Sequence, residues 1–525
     1  MIKSSPLLSN KNFLYATEFF SGMSIMAVEL GAARLLAPYF SSSQIVWTII
    51  IGTIMISLAL GNVWGGRRAD SDADPAKLYR RLIFAALWIG AIPVLGKYLI
   101  LALAGVLIVA VDTNLLIWAA FLSCAVIFVP PLFVLGTVTP SLVKYATDSL
   151  EHNGRVVGNL NAFNTIGSII GTFLPTFVTI PTVGTAITFL IFSGVLLLIG
   201  VIYFVSIGAR KIFCAGAVII FVTCAILGNS SNFAFWQKNL LYEGESIYNY
   251  LQVRENPRQI IFSTNVLFGV QSIKVKDGGL TGFYYDYALA APLLTDGKKI
   301  LVLGMGTGTF AEQCRKYFPA AQITGVEIDE KITALARKYF ALPDDAEVVT
   351  YDGRAFLQSD ANRYDVILVD AFQDISPPFQ MSSLEFFTLV RDHLVDGGIL
   401  VVNMNMRGGL NDCLTDTIGK VLPAVRTIDA KNVTNRVLFA SRDEKIFDEL
   451  RARAEKLSDD DFSRLMISVA ENWREPTLGD EILTDDRAPV ELLSMRALDA
   501  LIQQHLRYYK EIYRRDGLDG VLNSF

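Results

Sequence analysis

Long uninterrupted apolar runs fill the first 230 residues, whereas short apolar runs alternate with amphipathic stretches and turn residues through the rest. Stretches near 13–39, 44–64, 82–111, 114–136, 157–180, 184–206 and 211–228 can each cross about 30 Å of hydrocarbon. They predict an N-terminal all-α polytopic membrane bundle of about seven to eight spans over residues 1–230. The third stretch holds Pro93, Gly96 and Lys97 at its middle and could be broken there, and 211–228 is barely long enough to span. No early segment has the short apolar core and small-residue cleavage site of a removed signal peptide, so the first helix is expected to stay in place. Arg67, Arg68, Lys77, Arg80 and Arg81 lie between the second and third stretches, which the positive-inside rule assigns to the cytoplasm with the N-terminus. Lys144 and Arg155 then fall on the same side. Seven crossings from a cytoplasmic start would put the second half outside, where nucleotide-like metabolites are scarce. An eighth crossing or a re-entrant segment would return it to the cytoplasm.

From about residue 245 the period changes. Tyr250–Arg254, Gln259–Thr264 and Val266–Lys276 read as strands, with Asn256-Pro257 and Asp277-Gly278-Gly279 as breakers, so 231–290 forms a small β-hairpin unit. Beyond it, strands Lys299–Gly304, Gln322–Glu327, Ala346–Tyr351, Tyr364–Asp370 and Gly398–Asn403 are interleaved with helices Phe310–Phe318, Glu330–Phe340 and Ser383–Leu394. That alternation predicts an α/β Rossmann-like domain over 291–445, a mostly parallel sheet with helices on both faces. Residues 446–525 read as a charged C-terminal helical segment.

Composition sharpens the division. Of 525 residues 52% are hydrophobic and only 18% are charged, too apolar for one water-soluble globule. Of the 46 Lys and Arg and 51 Asp and Glu, 21 fall in 1–230 and 76 in the remainder. Five cysteines without a CxxC pair and three histidines argue against a metal site or a disulfide scaffold. The net charge of −5 is spread without a basic patch, so nucleic acid is not an expected partner. The lipid bilayer is.

Glu18, Glu29 and Arg34 lie in the first apolar stretch, where an ionised group must be paired or face a cavity. Eleven residues separate the two glutamates, about three helical turns, so both project from one face. They suit either a polar pathway or an internal pairing with Arg34. Gly61, Gly65 and Gly66 ahead of Arg67 and Arg68 are weakly similar to a transporter loop and serve helix packing equally well.

The first turn of the predicted sheet reads Leu303-Gly304-Met305-Gly306-Thr307-Gly308, a strand feeding a glycine loop that opens a helix. Glycines let backbone approach a ligand closely, and a helix start offers unpaired N–H groups. Glu327 follows 23 residues after Gly304 at the next strand's end, where a carboxylate can accept both ribose hydroxyls. Asp352 and Gly353 supply an acid and a turn at the third strand's edge, suited to an adenine amino group. Three such elements at strand ends of one sheet point to adenosine binding.

At these residues the sequence resembles the polyamine aminopropyltransferases, the spermidine-synthase-like proteins, and in particular those fused to a multi-span membrane region. The resemblance rests on Glu245–Asn249, Gly269–Ser272, the glycine loop, Val326–Asp329, Tyr351–Leu357 and Tyr364–Asp370. It rests also on Glu29-Leu30, Arg34–Phe40 and Leu483–Glu491. It implies a class I S-adenosylmethionine-dependent transferase fold, decarboxylated S-adenosylmethionine or S-adenosylmethionine as donor, no metal, and an amine or polyamine acceptor. A homodimer is left open. By resemblance Asp370 is the base that takes the amine's proton; a structural acid capping the following turn is the alternative. Gln271 and Asn249 match polar donor-binding positions, Asn249 replacing a usual glutamine. Tyr284 and Asp286 match the aromatic and acidic positions beside the acceptor.

Two departures bear on the chemistry. Thr307 stands where the family carries an aspartate that repels a donor carboxylate, which admits S-adenosylmethionine itself. After Asp370 the family reads D-x-x-D-P, whereas this chain has Gln373 and Asp374, so the acceptor-binding acid is either lost to Gln373 or displaced to Asp374. Ser376-Pro377-Pro378-Phe379 resembles an amino-methyltransferase motif but reads as a lid turn. Asp485 and Asp486 could approach an amine or cap a helix beginning near Pro489, and the cap is the expectation. The function implied is a membrane-integrated aminopropyltransferase-like enzyme in the cell's inner membrane, its catalytic domain cytoplasmic, releasing methylthioadenosine. The alternatives are a methyltransferase acting on a lipid or amine, and a polyamine transporter or sensor whose nucleotide domain only binds.

Overall fold

Apolar runs with polar caps become helices in the N-terminal half. The computed structural model describes all residues except 1–6, 8–9, 112, 148–152, 231, 267–268, 344–345, 373–375, 405–407, 432 and 523–525. The chain divides into two units: Met1–Trp236 with Glu243–Tyr250, and Gln237–Tyr242 with Leu251–Phe525.

The first unit contains helices α1 (Lys11–Phe40), α2 (Gln44–Ser71), α3 (Pro75–Ala110), α4 (Leu115–Gly136), α5 (Val138–Ala146), α6 (Asn153–Leu174), α7 (Ile180–Ser206) and α8 (Lys211–Leu227). Asn10, Ser43 and Asp74 cap α1, α2 and α3 with side-chain oxygens, and Pro75 occupies the first turn of α3 where its missing N–H costs nothing. Among the described residues five helical stretches, Lys11–Phe40, Gln44–Ser71, Pro75–Ile108, Leu115–Ala146 and Asn153–Ser206, are long and apolar enough to cross a membrane, while Lys211–Leu227 is shorter. The third helix runs on unbroken through Pro93, as apolar helices tolerate when neighbouring groups absorb the freed carbonyl. The stretches read as 157–180 and 184–206 are two helices parted by a kink at Gly184, whose φ is 82°, the first ending in a π-helical turn at Pro175–Thr179.

Helices α1 and α6 are held at backbone contact by glycines. A Cβ at Gly167 would stand 2.0 Å from the Phe19 carbonyl oxygen and one at Gly171 2.1 Å from that of Met23. Small residues four apart give this closeness in apolar surroundings, where packing must replace the hydrophobic effect. The same contact encloses Glu18, whose Oε1 accepts from Thr139 Oγ1 at 2.5 Å and Asn164 Nδ2 at 2.8 Å. Arg34 donates to the carbonyls of Ser246 and Ile247.

Strands β1 (Leu240–Glu245), β2 (Tyr250–Glu255), β3 (Gln259–Ser263) and β4 (Ser272–Val275) form a sheet in chain order and belong to the second unit except for Glu243–Glu245 and Tyr250. Of the strand expected over 266–276, the described residues form one at Ser272–Val275. After helices α9 (Tyr284–Ala288) and α10 (Ala290–Thr295) come β5 (Lys299–Leu303), α11 (Thr309–Tyr317), β6 (Gln322–Glu327), α12 (Glu330–Tyr339), β7 (Glu347–Thr350), α13 (Gly353–Ser359), β8 (Tyr364–Val369), α14 (Leu384–Asp392) and β9 (Leu394–Met404). The order then continues through α15 (Gly409–Val421), β10 (Ala424–Asp429), β11 (Arg436–Ser441), α16 (Leu450–Ala454), α17 (Asp460–Asn472) and α18 (Val490–Leu522). The seven-stranded sheet has the order β10-β11-β9-β8-β5-β6-β7, with β11 antiparallel to both its neighbours and β9 through β7 parallel. Ile300, Val302, Val366, Leu368, Ile399 and Val401 line one face of it, and Leu301, Leu303, Ile367, Val369, Leu400 and Val402 the other. Alternating apolar side chains are therefore buried on both faces, as a parallel sheet covered by helices requires.

Replacing Gly171 by Val places methyl groups where backbone atoms already stand and is expected to lower the thermal midpoint of the detergent-solubilised chain by several degrees. Gly158→Val, on the same helix with open space around it, is expected to leave the midpoint within about a degree of wild type.

Candidate active site

The parallel strands reverse their order between β5 and β8, and at such a switch point the loops leaving the two strands part and open a crevice. Gly304 leaves β5 and Asp370 leaves β8. The backbones touch there: a Cβ on Gly304 would lie 2.5 Å from the Asp370 carbonyl oxygen, and its φ of 86° independently favours glycine. Gly306 and Gly308 also have positive φ, and Gly308 is the residue from which α11 starts.

Glu327, at the end of β6, faces this loop. Its Oε2 accepts the Gly306 N–H at 2.8 Å and its Oε1 the Asp329 N–H at 3.1 Å. Burial pushes its carboxyl up to about 7 against those backbone hydrogen bonds. Asp352 caps α13 by accepting from the Ala355 N–H at 2.9 Å, and Gly353 packs against Met381, to which a Cβ would come within 3.1 Å. Thr307 is buried, its N–H directed at Ser272 Oγ at 3.4 Å and its hydroxyl 3.5 Å from that of Thr309. The backbone of Gln271 bridges the Phe262 carbonyl and the Tyr285 hydroxyl.

Asp370 is gripped from two sides. Tyr284 donates its hydroxyl to Oδ2 at 2.6 Å and Asn403 its amide to Oδ1 at 2.8 Å, while Asn435 donates to the Asn403 oxygen at 2.8 Å. Burial raises the carboxyl to about 7, the two hydrogen bonds oppose that rise, and the Glu327 charge adds to it. The Tyr284 phenol is itself pushed well above its ordinary value by burial and by Asp370, so it remains a donor. A carboxylate poised near neutrality is the condition under which it accepts a proton and still exists ionised.

Asp286 accepts from Thr281 N–H at 3.0 Å, Thr281 Oγ1 at 2.8 Å and Gly282 N–H at 2.6 Å, hydrogen bonds within its own turn. Asn249 belongs to the first unit, where its N–H donates to Ser246 Oγ at 2.9 Å. Gln373 and Asp374 lie outside the described residues. Asp485 does not cap α18. It pairs both oxygens with Arg354, at 2.7 and 2.6 Å, and accepts from Ser383, which fastens the C-terminal segment to α13. A bidentate guanidinium across 131 positions of chain outcompetes a local cap. Among the described residues no group of three or more His, Cys, Asp and Glu could hold a metal ion.

Asn403 and Asn435 are not among the residues expected from sequence. A signal exists for Asn403: β8 and β9 pair Val369 with Val402, so the residues following them, Asp370 and Asn403, emerge side by side. Asn435 follows a turn and carries no such mark.

Residues 284–408 match the family description "Spermine/spermidine synthase domain". A probable polyamine aminopropyl transferase of Bifidobacterium longum is 49% identical over 345 residues, covering 62% of this chain and 77% of its own. The chain belongs to the polyamine aminopropyltransferase family. A polyamine aminopropyltransferase of Vibrio vulnificus is 28% identical over 191 residues, 34% of this chain, which spans 63% of that relative's length. The crystal structure of a probable spermidine synthase from Corynebacterium glutamicum shares 19% identity, with 45% of this chain and 97% of that one covered at a TM-score of 0.36.

If Asp370 acts as a base, the rate should rise with pH through about 7, because only the ionised form accepts a proton. Tyr284→Phe removes a hydrogen bond that lowers the Asp370 carboxyl, so the acidic limb of the pH–rate profile is expected to move to higher pH by several tenths of a unit or more. An unmoved limb would contradict that role.

Proposed function

We propose that the chain is a membrane-embedded aminopropyltransferase that moves the aminopropyl group of decarboxylated S-adenosylmethionine onto an amine. The observation that supports this reading most is the placement of Asp370, held at both oxygens, against the glycine loop beside Glu327. The donor's ribose hydroxyls would be received by Glu327, its adenine by the edge at Asp352 and Gly353, and its sulfonium would sit between the loop and Asp370. The loop's left-handed glycines fit such a ligand because backbone alone borders it there.

The reaction asks little beyond alignment. The acceptor nitrogen's lone pair forms a bond to the methylene carbon on sulfur, the carbon–sulfur bond breaks, and its electrons neutralise the sulfonium to give methylthioadenosine. The nitrogen sheds one proton, which Asp370 takes. Holding nucleophile and carbon in line supplies most of the acceleration, and Tyr284 and Asn403 fix the base's direction. Thr307 supports a second reading. A neutral residue there offers no repulsion to a donor carboxylate, which leaves transfer of a methyl or aminocarboxypropyl group from S-adenosylmethionine as the competing chemistry.

The helical unit supports residence in a bilayer, the inner membrane of the cell. Its outward side chains are large and apolar, among them Met55, Ile56 and Leu60 on α2 and Ile212, Ile219 and Ile226 on α8. The adenosylated donor is an intracellular compound, which argues for a cytoplasmic second unit.

Incubating the purified full chain with each donor and an amine separates the chemistries: methylthioadenosine is expected with the decarboxylated donor, whereas S-adenosylhomocysteine from the intact one would establish methylation instead. Asp370→Asn is expected to reduce turnover by about 10²-fold or more with donor affinity retained. For topology, a C-terminal green fluorescent protein fusion is expected to fluoresce in cells. Activity of a C-terminal alkaline phosphatase fusion would place the second unit outside.

A further inference from the structure

Four arginines gather where α2 ends and α3 begins: Arg67, Arg68, Arg80 and Arg81. The three acids between them are engaged elsewhere. Asp70 pairs with Lys144 at 3.2 Å, Asp72 pairs with Lys77, and Asp74 accepts the Ala76 N–H at 3.0 Å as the cap of α3. Among the described residues none of the four arginines has a carboxylate partner. Two of them nevertheless converge. The guanidiniums of Arg68 and Arg81 each lie 5.3 Å from the centroid of the Trp64 ring. Arg81 Nε donates to the Lys77 carbonyl at 3.2 Å, but its Nη1 is buried and has no hydrogen-bond partner. Two like charges on one ring, with no acid beside them and a donor left unbonded, are an arrangement that an anion would stabilise.

The surroundings narrow the anion's class. Ile56, Leu60, Val63 and Trp64 are all exposed and recur at the spacing of one helix face, which Arg68 extends by one more turn. Across from it Phe84 is exposed on α3, one turn beyond Arg81. The helix α4 packs along both α2 and α3, with Phe133 tilted against Trp64 at 5.6 Å and the Ile127 carbonyl accepting the Trp88 indole N–H at 2.8 Å. Apolar strip, interfacial tryptophan and paired cations follow one another in the order of acyl chain, glycerol level and phosphate. A free phosphate would meet the cations and leave the strip uncovered.

We infer that Arg68, Arg81 and Trp64 form a headgroup site for an anionic phospholipid whose acyl chains lie along Ile56, Leu60 and Phe84. This rests on the residence in a bilayer proposed above and names one lipid class that the helical unit selects. The phosphate oxygens accept from both guanidiniums and cancel their repulsion. The strip keeps the chains out of water.

Native mass spectrometry of the full chain, titrated with phosphatidylglycerol, phosphatidylcholine of the same acyl chains or glycerol 3-phosphate, tests this. The wild type is expected to bind phosphatidylglycerol about 5-fold or more tighter than phosphatidylcholine, and glycerol 3-phosphate far more weakly than either. Arg68→Gln, at an exposed position that folding tolerates, should remove most of that preference. Arg68→Lys should keep part of it, and Arg155→Gln on α6 should leave it whole. Equal affinity for the two lipids, or a preference that survives Arg68→Gln, would overturn the site. Glycerol 3-phosphate binding as tightly as phosphatidylglycerol would overturn the lipid as its occupant. Recovery of the chain in the soluble fraction of lysed cells without detergent would instead overturn the membrane residence on which the site rests.

Discussion

The chemistry of this chain depends on the contact between two strand ends. Where β5 gives way to Gly304 and β8 to Asp370, the backbones approach so closely that no side chain fits at the glycine. The contact arises because β5 and β8 are paired neighbours, Leu303 beside Val369, and the crevice opens beyond it because their outgoing loops diverge. One becomes a loop of left-handed glycines, and the other delivers a carboxylate. Helix packing on both faces keeps the strands in place, and the apolar alternation along β5, β8 and β9 sustains that packing.

Two buried carboxylates give the crevice its character. Glu327 and Asp370 are both raised to about 7 by burial, and each is restrained from rising further by donors aimed at it. The donors differ in kind. Glu327 is held by backbone N–H groups, which hold their place in the loop, whereas Asp370 is held by a phenol and by an amide whose own orientation is fixed by Asn435. The proposed reaction would use this difference: Glu327, receiving hydroxyls, would need steadiness, and Asp370, receiving a proton, a balance near neutrality. Their mutual repulsion also means that a positively charged ligand between them relieves both.

Much of this is legible in the order of the amino acids. The apolar runs locate the helices because periodicity over many residues is a strong signal, and the glycine loop, Glu327 and Asp370 stand out because each lies at the end of an apolar strand. What the order of residues conceals depends on distant pairing. The continuity of α3 through Pro93 depends on surroundings that composition does not encode. Asp485 resembles a helix cap because its partner Arg354 lies 131 positions away. Nothing in Thr281-Gly282 announces that their turn donates three hydrogen bonds to the Asp286 carboxylate. Asn403 meets Asp370 only through strand register, and Asn435 reaches the pair only through Asn403.

The central claim, that backbone contact at Gly304 builds an adenosine cradle, is tested most directly by calorimetric titration of methylthioadenosine into the full chain and into its Gly304→Ala variant. Saturable binding to the wild type, weakened by about 10-fold or more in the folded variant, is the result the account predicts. Equal affinity in the two, or no heat with either, would contradict it.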